Sequence, residues 1–150
     1  MNHDVLWYAD GALDQMVEVV RLLGDERVND RPALPGANTP FAIVTHCLGV
    51  LEFWGGAMVA GRRIRRDREA EFRASGRVDE LVERVEVARR QLADDVGEAV
   101  WDDRPRLPAD PEDADRPDGQ RQGGVLLHVL EELFQHLGQL ELTRDVLLAR

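Results

Sequence analysis

Cysteine is nearly absent from this chain. Cys47 is the only one in 150 residues, which excludes an internal disulfide and fits a reducing compartment. Lysine is missing altogether, and all 19 basic residues are arginine; this speaks to genomic base usage rather than to chemistry. No uninterrupted apolar run approaches the roughly 20 residues that a membrane span needs. The start, Met1-Asn2-His3-Asp4, has neither the basic opening nor the apolar block of a signal peptide. Together these shortages predict a cytoplasmic protein that stays out of membranes. Positive charge is scarce as well: 29 acidic residues against 19 basic ones give a formal charge of −10 and a pI near 4.8. Such a field repels nucleic acid phosphates and anionic lipid, so neither is an expected partner. No strand pattern and no internal repeat is present.

What remains is ordinary for a globular protein. Hydrophobic residues make up 43% and charged residues 32%, too apolar for a disordered chain. The length suits one domain, 1–150, with a sizeable core.

Helical periodicity accounts for most of the sequence. Leu6, Ala9, Leu13, Met16, Val20 and Leu23 recur at three- and four-residue steps, and Gly24 stops this first helix. Residues 24 to 38 form a loop with Pro32, Pro35 and Gly36. Thr39 then caps a second helix with Pro40 at its first position. From Phe41 to Ala60 the only formally charged residue is Glu52, so this helix is expected to be buried on nearly every side. An arginine-rich stretch, Arg62 to Arg68, follows. Val78, Leu81, Val85, Ala88, Leu92 and Val96 mark a third helix. Trp101 to Gly124, rich in Pro, Asp and Gly, reads as a long ordered loop or a partly mobile crossover. The last helix runs from about Val125 to the end, with Leu126, Leu130, Leu133, Leu137 and Leu140 on one stripe. The fold class is therefore all-α, a four-helix bundle with long inter-helix connections that permit crossovers.

Two helices carry residues that look like chemistry. His46 lies among Ile43, Val50, Phe53 and Ala57 on the apolar second helix. An unpaired imidazole there would cost roughly 1–3 kcal/mol of desolvation, so it needs a partner. A backbone carbonyl or buried carboxylate would serve; so would a metal ion. On the last helix His128, Glu132 and His136 follow one another at four-residue steps, and any adjacent pair could chelate one ion. The angular count puts His136 at the edge of the apolar arc, Glu132 slightly further out and His128 well round toward solvent. Glu132 with His136 is the better-placed pair. With His46 it gives two imidazoles and one carboxylate, a set that suits Zn²⁺, Ni²⁺ or Fe²⁺. The spacing is not His-Glu-x-x-His, so nothing supports a zinc protease. Trp54, Trp7 and Phe53 are core candidates. Cys47 points about 100° away from His46 and reads as a small core residue. Five arginines in the seven residues from Arg62 to Arg68 read either as a dock for an anionic ligand or as a solvated turn balanced by Asp67, Glu69 and Glu71.

The second-helix segment Thr45-His46-Cys47-Leu48-Gly49-Val50-Leu51-Glu52-Phe53-Trp54, with Glu132-x3-His136-Leu137-Gly138-Gln139 on the last helix, resembles the DinB/YfiT-like superfamily, which includes the mycothiol-dependent maleylpyruvate isomerases. The resemblance spans most of the chain. Many members carry His-x3-His in the last helix; this chain is similar to the branch with Glu-x3-His. It implies a four-helix bundle with His46, Glu132 and His136 as metal ligands, and with His128 and Gln139 lining or supporting a cofactor site. It also implies zinc or nickel, with iron as a further option, and mycothiol as a thiol cosubstrate. A small thiol and a small electrophile would then be the partners of a metal-dependent S-transferase or isomerase. A homodimer is implied too, for which the first helix offers Trp7. The alternatives are a non-catalytic metal-binding or stress-response protein with a structural or vestigial ion, and, ranked last, an Fe²⁺ oxygenase.

Overall fold

A computed structural model describes residues 1–108 and 115–149. All regular structure among them is helical. Helix α1 spans Asn2–Arg27, α2 Pro40–Val50, α3 Arg68–Arg73, α4 Val78–Gly97, α5 Pro117–Gln120 and α6 Gln122–Leu148. The expected stripe of α1 is buried at Ala9, Leu13, Met16, Val20 and Leu23, with Leu6 only partly covered. Gly24 breaks the helical path as expected, at φ 63°, a value that L side chains rarely adopt. One further turn then carries the helix on to Arg27.

Thr39 caps α2: its Oγ1 accepts from the Ala42 N–H at 3.1 Å, with Pro40 in the first turn. Every residue of α2 except Gly49 is buried. The helix then continues as a π-helical segment, Leu51–Val59, which periodicity at 100° per residue does not foresee. By length and composition Pro40–Val59 is apolar enough to cross a membrane, with a mean hydropathy of 1.4, contrary to the sequence expectation. Of that window 78% is buried inside the bundle, as in the core helix of a soluble fold.

The four long helices close around one core. Helix α1 packs on α4 and α6, and α2 with its π-helical extension packs on the same two. Consecutive α1 and α2 therefore face each other across a diagonal, and α4 and α6 occupy the other. The α1–α2 and α4–α6 connections therefore join diagonal helices, the crossovers that their length permits. The second crossover is tied down where it is described. Trp101 Nε1–H donates to Asn2 Oδ1 at 2.6 Å, the Arg106 N–H donates to the Met58 carbonyl at 2.7 Å, and the Gly123 N–H donates to the Trp101 carbonyl at 2.9 Å. Residues 109–114 of this expected loop lie outside the described residues.

One core assignment, Trp7, is corrected by burial. Trp7 is 65% exposed; its ring stands edge-on to Tyr8, which in turn meets Phe134 of α6. Solvent, not the core, receives Trp7 because its neighbours Val5 and Ala9 already fill the inward face of α1. Trp54 and Phe53 do pack against the core, partly buried. Cys47 is fully buried, and desolvation, reinforced by the charges of Glu132 and Glu71, pushes its thiol far up. That leaves it an inert core residue.

Candidate metal centre

His46 is held by the most buried helix of the fold and is itself 1% exposed. Its ring stacks on Phe72 of α3 at 4.6 Å between centroids and meets His136 of α6 edge-on at the same distance. Nε2 lies 3.5 Å from Glu132 Oε2, and His136 Nε2 lies 3.5 Å from the same oxygen. Among the described residues, one donor atom from each of His46, Glu132 and His136 falls within 4.8 Å of the others, a separation that one ion can bridge. His46 Nε2 is buried and has no hydrogen-bond partner. An orphaned buried nitrogen costs roughly 1–3 kcal/mol unless something satisfies it, and here it points at a carboxylate and a second imidazole. The residues fit a divalent cation.

The other faces of the two rings are held. His136 Nδ1–H donates to Gln139 Oε1 at 2.9 Å, one turn along α6. His46 Nδ1 sits 2.8 Å from Glu71 Oε2. Arg66 grips that carboxylate with two nitrogens, Nε at 2.7 Å and Nη2 at 3.0 Å. Burial alone would raise the Glu71 pKa, but the hydrogen bonds from Arg66 and His46 outweigh it and hold the carboxyl below its usual range. Desolvation lowers the His46 pKa below its ordinary 6.5, against the opposing pull of Glu71. A histidine that stays neutral in the fold while its unfolded form titrates near 6.5 contributes stability that is fully present above that pH. The contribution is lost as pH falls toward the folded value, because the unfolded chain then binds the extra proton. Metal-free protein is accordingly expected to melt at a lower temperature near about pH 5.5 than near about pH 7.5. The difference should shrink in His46→Gln; an equal pH dependence in both proteins would contradict the assignment.

Sequence spacing identified the three converging residues but misplaced a fourth. His128 was expected well round toward solvent, yet its side chain is 13% exposed, less than Glu132 at 23% or His136 at 18%. The Trp54 ring, turned toward it by the π-helical segment, covers it edge-on at 4.5 Å. Nδ1 meets Glu131 at 3.1 Å and Nε2 lies 4.0 Å from Glu132 Oε1, so His128 borders the cluster. Gln139 touches it through His136 alone.

Glu71 and Arg66 were not assigned to the metal site, because both fell in a stretch read either as an anion dock or as a solvated turn. The stretch divides: Arg63, Arg65, Arg68, Asp67 and Glu69 are exposed, as a solvated turn requires, while Arg62 and Arg66 turn inward. Arg66 pairs with Glu71, which is 8% exposed, and Arg62 pairs with Asp95, which is 3% exposed. Asp67 caps α3 by accepting from the Ala70 N–H at 2.9 Å, which fixes where Glu71 falls. A cavity of about 780 Å³ opens on this side, floored by Leu48, Leu51 and Leu92; Arg62, Arg66 and Glu71 line it, while His46, Glu132 and His136 do not.

No curated protein and no solved structure gives a significant match to the chain. The family model described as the DinB superfamily matches residues 8–140, which include every residue of the cluster. The match covers most of the chain and takes in the helices that carry the possible metal cluster, and the chain belongs to the DinB superfamily.

Proposed function

We propose that the protein is a metal-dependent transferase that joins a small thiol of the mycothiol type to a small electrophile. The observation that carries the reading is His46 Nε2, buried, unbonded and aimed at Glu132 and His136. Two imidazoles and one carboxylate suit zinc or nickel, with iron next. Three converging protein donors leave room for an exchangeable ligand, which a purely structural ion does not need. A divalent ion held there would lower the pKa of a thiol that reaches it and so supply a thiolate at neutral pH.

The chain's own residues bind and orient. His46 and His136 present their Nε2 atoms, since Glu71 and Gln139 occupy the Nδ1 sides. Trp54 and Phe72 provide aromatic walls beside the cluster. His128, with Nδ1 turned to Glu131, keeps Nε2 toward the cluster for a bound cosubstrate. Cobalt-loaded protein titrated with mycothiol tests the proposal. A thiolate-to-cobalt absorption band should grow in, with thiol consumed as its sulfur displaces the leaving group of an added alkylating agent. The His128→Ala variant should keep its cobalt and bind the thiol more weakly. Bound cobalt whose spectrum ignores the thiol would favour a non-catalytic metal protein instead.

A further inference from the structure

The geometry points to Glu71, clamped by Arg66, as the positioning residue that fixes the tautomer and angle of His46 and thereby sets metal affinity. We infer this from a chain of contacts that starts at a glycine. Gly49 lies one turn beyond His46 on α2, and a Cβ built there would overlap the Glu71 carboxylate. Glycine thus opens the slot through which Glu71 reaches back from α3 to His46 Nδ1 at 2.8 Å. Both Glu71 oxygens are taken up: Oε1 receives Arg66 Nε, and Oε2 receives Arg66 Nη2 and the imidazole.

An ionised carboxylate only accepts, so the shared proton sits on His46 Nδ1 and the lone pair sits on Nε2. That is the tautomer a metal requires at Nε2, and the atom that carries it is the one without another partner. Carboxylates behind metal-binding histidines act in this way, and their loss typically costs about 10–100-fold in metal affinity. The Phe72 ring against His46 adds a flat wall, one residue along α3 from Glu71, so the same short helix holds the imidazole by two contacts.

The inference rests on the metal-site reading of the proposed function, and the test separates the two. Metal-free wild type and the Glu71→Ala, Arg66→Gln and Gly49→Ala variants would be compared by nitrogen NMR of the His46 ring and by Zn²⁺ dissociation constant. Gly49→Ala is the informative variant, because it removes no polar group and only displaces the carboxylate. Wild type should show a single Nδ1–H tautomer. Glu71→Ala and Gly49→Ala should show mixed tautomers and bind Zn²⁺ about 10–100-fold more weakly, with Arg66→Gln shifted in the same direction. Wild-type affinity and an unchanged tautomer in folded Glu71→Ala would overturn the inference while leaving the metal site standing. A wild type that binds no Zn²⁺ yet shows the Nδ1–H tautomer, lost in Gly49→Ala, would overturn the metal reading and retain the positioning contact.

Discussion

Replacing His136 by alanine, or Glu132 by glutamine, is expected to weaken divalent metal binding by about 100-fold or more, beyond the cost of losing an outer-shell partner. His136→Ala leaves one imidazole and one carboxylate to hold the ion, and Glu132→Gln leaves two imidazoles with an uncharged amide in place of the anion. Glu132 matters most for charge: among the described residues it is the anion within reach of both Nε2 atoms, at 3.5 Å from each. Both residues are partly exposed, so the substitutions are expected to disturb the core less than a change at His46. Competition titration with a chromophoric chelator reads the loss, and unchanged thermal melting of the metal-free variants separates it from unfolding. Tight binding retained by both variants would mean that the ion sits elsewhere.

A second large effect is expected far from the cluster, at Gln122. This side chain is fully buried where the second crossover enters α6. Its Oε1 accepts from the Val100 N–H at 3.0 Å, and its Nε2 donates to the Arg104 carbonyl at 3.1 Å. Its own backbone N–H donates to the Asp103 carbonyl at 2.8 Å. Gln122→Leu keeps much of the volume but removes both side-chain hydrogen bonds to the backbone of Val100 and Arg104, each worth roughly 0.5–1.5 kcal/mol net. A loss of about 1–3 kcal/mol is expected, together with faster proteolysis within 99–106. Chemical denaturation checks the first and timed digestion the second. Loss of less than about 0.5 kcal/mol would show that the segment is not pinned through this amide.

The sequence was most legible where periodicity and capping agree. The α1 stripe, the Thr39-Pro40 start of α2 and the leucine stripe of α6 all lie where spacing put them, because burial of one helix face is a local pattern. His46, Glu132 and His136 were legible for the same reason: an imidazole in an apolar helix and an i, i+4 pair at the edge of another leave few ways to pack. Three features were not legible. The π-helical segment changes the angle per residue beyond Leu51, so Trp54 meets His128 in a way that a 100° count cannot give. His128 was placed toward solvent because the count considers one helix alone and ignores what the neighbouring helix lays over it. Glu71 reaches His46 across 25 positions, and only Gly49, an apparently idle residue in a buried helix, hinted that something must pass close to α2 there.

The most direct test of the account is an anomalous diffraction map of crystals grown from zinc-loaded protein. One strong peak is predicted within bonding distance of His46 Nε2, a Glu132 oxygen and His136 Nε2, at roughly 2.0–2.2 Å from each, with the Glu71 contact to His46 Nδ1 intact. A peak on other residues, or fully loaded crystals with no peak between α2 and α6, would contradict it.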